Sequence, residues 1–201
     1  MKIYVLRHED RPQDCSFFVP LTELGLENSV KIAEKLKEEN INLIFSSPFI
    51  RTLQTIYPYA REANKNINLE YGLIEFHHPD IIPAKAVGIS LPEYLAKSFK
   101  YNPDYKTIIK PTDISYPEKN KDVIIRTKRI LRDIISKYYS TDNNIILVSH
   151  QNTCNAILQI VNSESEKFRG KIPDKLTNGY EKGKISLVFD TSKGWTYKPI
   201  N

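Results

Sequence analysis

The sequence predicts an α/β fold: a largely parallel sheet with helices on both faces. Three observations lead there. Short uninterrupted apolar runs recur along the chain, as expected of strands buried on both sides. Longer segments between them carry apolar residues at helical spacing. The two signals alternate, which is the pattern of parallel strands joined by crossover helices.

Ile3-Tyr4-Val5-Leu6 marks a first strand over residues 2–6. A helix opens at Pro20 to Glu23 with Thr22 as N-cap, and Leu26, Val30, Ala33 and Leu36 are expected on its buried face. Asn42 to Phe45 is a second strand, ending at Ser46-Ser47-Pro48. Ser47 is expected to cap the next helix, with Pro48 at its first position and Leu53, Ile56, Tyr57 and Ala60 on one face. Ile67 to Tyr71 is a third strand. In residues 79–120 the prolines at 79, 83, 92, 103, 111 and 117 break the periodicity. Too few apolar residues lie between them for a second core, so the segment reads as a loop-rich insertion within one domain spanning 1–201. Residues 121–139 return to helical spacing through Val123, Ile130, Leu131, Ile134, Ile135 and Tyr138. Ile145 to Val148 is the plainest buried strand; Ser149-His150 and a helix through Ala156, Ile157, Leu158 and Val161 follow it, and Ile185 to Phe189 is the last strand.

Composition narrows the function classes. The chain has 201 residues, 40% hydrophobic and 26% charged, as in a soluble globular protein. No apolar run approaches the roughly 20 residues that span a bilayer, so no membrane partner is expected. Cys15 and Cys154 make no disulfide scaffold, and the first strand begins too early to leave room for a secretory signal. Both point to a cytoplasmic protein. A net charge of +5 favours anionic partners. There is no arginine-rich arm, aromatic-interleaved basic patch or zinc-finger spacing, so nucleic acid is not among the expected ones.

Parallel sheets bind ligands at the carboxyl ends of their strands, so the polar residues just past those ends are the informative ones. These are Arg7-His8-Glu9, Ser46-Ser47 with Arg51 one turn further, Glu75, and Ser149-His150-Gln151. Two arginines, two histidines and a carboxylate on one rim suit a phosphate monoester. Arg7 and Arg51 offer forked donors to its oxygens. The helix N-termini after Ser47 and His150 add positive dipole ends. A neutral imidazole, with an ordinary pKa of about 6.5, is a nucleophile toward phosphorus. A carboxyl at Glu75 protonates the leaving oxygen, help worth about 10²–10⁴-fold. His77 and His78 have no Cys, Asp or Glu partner at a ligand spacing, so no metal is expected.

The same residues resemble the blocks of a known family. Tyr4-Val5-Leu6-Arg7-His8-Glu9 resembles the Arg-His-Gly signature of the histidine phosphatase superfamily, the phosphoglycerate mutase-like proteins. Leu21-Thr22-Glu23-Leu24-Gly25 is similar to its next block, and Phe45 to Thr55, with Arg51 inside, to its phosphate-binding arginine block. Leu73-Ile74-Glu75 is similar to its acid-base segment and Val148-Ser149-His150 to its second histidine. The resemblance implies a three-layer α/β/α sandwich, no cofactor, and a phosphohistidine formed on His8. It further implies that Arg7, Arg51 and His150 hold the phosphoryl oxygens and that Glu75 acts as acid and then base. Arg11 is implied as an additional phosphate contact, from the branch with an Arg-His-Gly-Glu-Arg pattern. A phosphatase acting on a phosphorylated small molecule or phosphopeptide leads the readings; a mutase and a catalytically weak phosphate-binding module are the alternatives. Two positions depart from the family pattern, Glu9 and Gln151 standing where glycine is usual. A glutamate at 9 either turns away from the phosphate or sets a negative charge beside it. The 79–120 insertion is expected to wall the site. Its Tyr94, Lys97, Lys100, Tyr101 and Lys106 are either substrate contacts or ordinary solvated surface.

Overall fold

The computed structural model describes residues 1–83, 89–167, 169 and 179–201, so positions 84–88 of the insertion lie outside the described residues. The strands are β1 (Lys2–Arg7), β2 (Leu43–Ser46), β3 (Ile67–Leu69), β4 (Asn144–Ser149), β5 (Ile185–Asp190) and β6 (Gly194–Pro199). The helices are α1 (Glu23–Glu38), α2 (Ile50–Glu62), α3 (Glu93–Lys97), α4 (Asn120–Tyr138) and α5 (Gln151–Glu164). The six strands form one sheet in the order β3-β2-β4-β1-β5-β6. The first four run parallel; β5 pairs antiparallel with β1 and β6 antiparallel with β5, so the sheet is mostly parallel as expected.

Strand alternation divides the core between the two faces. Tyr4, Leu6, Ile44, Ile146 and Val148 pack with residues of α1 and α2. Ile3, Val5, Phe45, Ile145 and Leu147 pack with residues of α4 and α5. Helices thus cover both faces, giving the three-layer α/β/α arrangement.

Thr22 caps α1, accepting from Gly25 N at 3.1 Å. The buried face of α1 differs from the expected one. Gly25, Ser29, Ile32, Ala33 and Leu36 face inward, while Leu26 and Val30 are 43% and 54% exposed. Gly25 sets this rotation: its Cα approaches the Asp10 carbonyl so closely that a Cβ would sit 2.2 Å away. Helix α2 begins two residues later than Ser47-Pro48 suggests, with Phe49 at the N-cap position. The Ser47 hydroxyl is engaged elsewhere, against His150 Nε2 at 2.9 Å. On α2 Tyr59 is buried, not Tyr57.

Strand β3 stops at Leu69, and Tyr71 opens a 3-10 turn that Glu70 caps from Gly72 N. Buried Glu70 also accepts from Tyr105, Thr107, Ile108 and Ile109, fastening the insertion along the β3 edge. Strand β6 follows the one expected to be last. Gly194-Trp195-Thr196-Tyr197 carries no apolar run because it is a half-exposed edge, though Trp195 packs on Phe189 at 5.2 Å.

Candidate active site

The register of the parallel strands continues past their ends. His8 N donates to Ser149 O at 2.9 Å, and Ser47 N to Val148 O at 3.0 Å. His8, Ser47 and His150 are therefore held at one level on the carboxyl rim. The Leu73-Ile74-Glu75 segment is stitched to the same rim, with Ser149 Oγ donating to Leu73 O and Thr153 Oγ1 to Ile74 O, each at 2.6 Å.

His8 is 1% exposed, and its Nδ1 lies 2.7 Å from the Glu9 carbonyl oxygen. A carbonyl only accepts, so Nδ1 carries the proton and Nε2 keeps its lone pair. Burial, then the charge of Arg51, holds the His8 pKa well below its ordinary value. The imidazole is thus neutral at neutral pH. The His150 ring lies edge-on to His8 at 5.1 Å between centroids. Ser47 Oγ receives Phe49 N at 3.4 Å and lies 2.9 Å from His150 Nε2. In the tautomer where the hydroxyl donates to Nε2, His150 Nδ1 bears the proton, and this buried nitrogen has no partner among the described residues. Burial and Arg51 also depress the His150 pKa.

Arg51 is fully buried, stacked on Phe49 at 4.5 Å, with its terminal nitrogens donating to Ser16 O at 2.8 Å and Cys15 O at 3.3 Å. Arg7 donates to Tyr180 O. The Nε atoms of both arginines are buried without partners among the described residues. Burial lowers both guanidinium pKa values, that of Arg51 to about 10, so both remain cationic at neutral pH. Arg11 is half-buried and folded onto its own loop, donating to Pro12 O, Asp14 O and Cys15 Sγ. Glu75 is buried; its Oε1 accepts from Phe76 N at 2.8 Å and from Asn152 N, at the start of α5, at 3.3 Å. Its Oε2 has no partner among the described residues.

Glu9 turns away from this centre. Its Oε2 accepts from Asp10 N at 3.0 Å and Asn28 Nδ2 at 3.5 Å, and its Oε1 lies over Gly183. A Cβ on Gly183, whose φ is +66°, would fall 1.8 Å from that oxygen. Gln151 repeats the arrangement against Gly179, where φ is +72° and a Cβ would fall 1.9 Å from the Gln151 amide nitrogen. The side chains that replace the two usual glycines are each received by a glycine of the 179–183 segment.

His77 is buried, its Nδ1 donating to Ser115 O at 3.2 Å; His78 pairs with Asp80 and stacks on Phe76. Among the described residues no group of three or more His, Cys, Asp or Glu could hold a metal ion, and no helix is long and apolar enough to cross a membrane. Cys154 is buried, with its thiol pKa pushed up by burial.

For the insertion residues left open between substrate contact and solvated surface, the structure favours the second. Tyr94 is 72% exposed and Lys97 pairs with Glu93. Lys100 donates to Asn64, Tyr101 bridges to Ile67 at the start of β3, and Lys106 lines a cleft near Asn42 and Asn66 at that same end. Strand β3 is the sheet edge, so a chain passing its first residue lies at the end opposite the rim. Sequence reasoning did not single out Ser47 as a partner of His150, nor Tyr180, nor the buried pair Arg126 and Glu118. For Arg126 a signal existed, because position 126 falls on the buried stripe of α4 with Val123, Thr127, Ile130 and Ile134.

Comparison with known proteins gives the same outline. The family described as histidine phosphatase superfamily (branch 1) matches residues 9–177. The transcription factor tau 55 kDa subunit of Saccharomyces cerevisiae is 27% identical over 139 residues, 66% of this chain and 31% of that protein. Human ubiquitin-associated and SH3 domain-containing protein B is 26% identical over 157 residues, 74% of this chain and 24% of that protein. The chain thus spans about a quarter to a third of the length of these relatives. Among solved structures, the ecdysone phosphate phosphatase from Bombix mori in complex with tungstate superposes with a TM-score of 0.76 at 15% identity, covering 98% of this chain and 91% of that one. The alpha-ribazole phosphatase from Shigella flexneri gives 0.66 at 18% identity, covering 100% and 96%.

Proposed function

The chain belongs to the histidine phosphatase superfamily, and from that premise we propose that it hydrolyses phosphate monoesters, without a metal, through a phosphohistidine on His8. The observation that carries this reading is a set of buried donors without partners around a neutral imidazole. Arg7 Nε, Arg51 Nε and His150 Nδ1 are all buried and unmatched among the described residues. Such donors cost stability unless a ligand completes them, and a phosphoryl dianion supplies the missing acceptors.

Substrate binds with its phosphoryl oxygens on Arg7, Arg51 and His150. His8 Nε2 attacks phosphorus in line with the ester oxygen, forming the N–P bond as the P–O bond breaks. Protonated Glu75 gives its proton to the departing oxygen. Its carboxylate then takes a proton from water, the water oxygen attacks phosphorus, the N–P bond breaks, and inorganic phosphate leaves with His8 neutral again. Arg11 reaches the phosphate only if its loop contacts exchange for it. The substrate is an anionic small molecule or a phosphopeptide. The orientation of Glu9 removes the charge clash that favoured a binding-only module. Two free cysteines, one of them half-exposed, suit a cytoplasmic setting.

The purified chain should release phosphate from an activated aryl phosphate in the presence of a chelator. His8→Ala should lower that rate by at least about 10³-fold while substrate binding persists. Undiminished turnover in the variant sinks the mechanism. Transfer of labelled phosphate from His8 to an acceptor acid, in place of hydrolysis, favours a mutase.

A further inference from the structure

The segment 72–77 carries Glu75 and has no regular structure beyond a single 3-10 turn ending at Leu73. Its carbonyls nevertheless have dedicated donors. Leu73 O and Ile74 O take the hydroxyls of Ser149 and Thr153, both from the rim side. Gly72 O and Glu75 O take Arg126, which reaches them from α4. His77 O takes Glu118 N at 2.8 Å, and His77 N donates to Glu118 Oε2 at 2.8 Å. Arg126 and Glu118 are themselves joined by two bonds, Nε to Oε1 at 2.8 Å and a terminal nitrogen to Oε2 at 3.2 Å. The pair is 5% and 2% exposed.

A buried ion pair is a poor source of stability, since desolvation offsets most of the attraction. What it supplies here is direction. A bidentate guanidinium–carboxylate pair fixes the planes of both groups, and each group then spends its remaining capacity on the backbone on either side of Glu75. The Glu75 carboxyl is left against the start of α5, with Oε1 accepting from Asn152 N at 3.3 Å and Oε2 without a partner among the described residues.

We infer that Arg126 and Glu118 are positioning residues for the proton donor: they hold the 72–77 backbone so that the Glu75 carboxyl meets the leaving oxygen. This rests on the reading of Glu75 as the general acid. It also gives the end of the insertion a role in the chemistry, because Glu118 grips the 72–77 segment from there.

The role has a signature that simple destabilisation lacks. An activated aryl leaving group departs as a stable anion and needs no proton, whereas an alkoxide does. Kinetics should be measured on phosphate monoesters from activated aryl to alkyl, with Glu118→Gln, Arg126→Lys and, as reference, Glu75→Gln. Glu118→Gln keeps the shape and an acceptor for His77 N but removes the charge. It should lower kcat/KM on alkyl esters about 10–100-fold, the usual cost of losing a group that orients a functional side chain. On the activated aryl ester kcat/KM, which reports phosphohistidine formation and not the later attack of water that Glu75 also assists, should stay within about threefold. If single variants do not fold, the double replacement Glu118→Leu/Arg126→Met removes both charges together and should show the same leaving-group dependence. Equal losses of kcat/KM across the series, or none, overturn the positioning role while a leaving-group-dependent Glu75→Gln leaves the acid in place. If Glu75→Gln also shows no such dependence, or the chain hydrolyses no ester, the assignment of the acid fails and this inference fails with it.

Discussion

The two ends of the sheet are both polar and both cationic, yet they obey different physics. At the amino ends of β2 and β3 a cleft of about 520 Å³ is bordered by Asn68, Asn102, Lys106 and Lys137. Its lysines are exposed, and Lys137 lies 5.2 Å from the Tyr138 ring with water around it. At the carboxyl ends, Arg7 and Arg51 are buried and each keeps an Nε without a partner among the described residues. A solvated ammonium costs the fold almost nothing, whereas a buried donor without an acceptor costs about 1–3 kcal/mol. Charge alone therefore marks neither end as functional. Burial without compensation marks one of them.

The comparison is tested most severely by removing cations from each end. Arg51→Ala should lower kcat/KM by about 10²–10³-fold, the loss typical of one preorganised donor to a developing oxyanion. Lys106→Ala combined with Lys137→Ala should change it by less than about twofold. Steady-state kinetics on one aryl phosphate decides the matter. A comparable loss from the lysine pair would mean that the cleft, not the rim, handles the anion.

The same contrast explains what was legible in the sequence. The strand ends were readable because β1, β2 and β4 are buried on both faces and so appear as unbroken apolar runs. Arg7, His8, Arg51 and His150 follow directly from those ends. Strand β6 was not readable, since an edge strand with half-exposed faces has no such pattern. The inward face of α1 was misread because its packing is set by a backbone approach at Gly25, which hydrophobic periodicity does not encode. The place of the insertion lysines could not be read from the sequence, because Glu70, a buried carboxylate with four donors from 105–109, pulls that segment along the sheet edge. Long-range polar contacts of that kind leave no local trace.

Stability against pH should separate the two ends again. His8 and His150 have folded-state pKa values depressed below 6.5, so the unfolded chain takes up protons first as pH falls. Their effect is therefore absent well above about pH 6.5 and grows below it, each histidine removing about 1.4 kcal/mol per pH unit. Urea unfolding should show a loss of about 2–3 kcal/mol between pH 7.5 and 5.5. His150→Gln should reduce the slope by about half, and Lys106→Ala should leave it unchanged. A flat profile would mean that the two imidazoles are not desolvated as the geometry indicates.

The smallest expected effect sharpens the comparison inside the site itself. Glu9 directly follows His8, yet its carboxylate is turned to Asn28 and Gly183. Glu9→Gly should therefore alter kcat/KM by less than about threefold, because no charge is removed from the phosphate's surroundings. Gly183→Ala should be costlier. A side chain at φ +66° is strained by about 1–2 kcal/mol, and this one would also strike Glu9 Oε1. Combining the two should relieve the clash but not the backbone strain, so the double variant should unfold with a smaller loss than the two single losses added together. Strict additivity would show that Glu9 and Gly183 do not share the space assigned to them, and the carboxylate would then have to be sought nearer to His8.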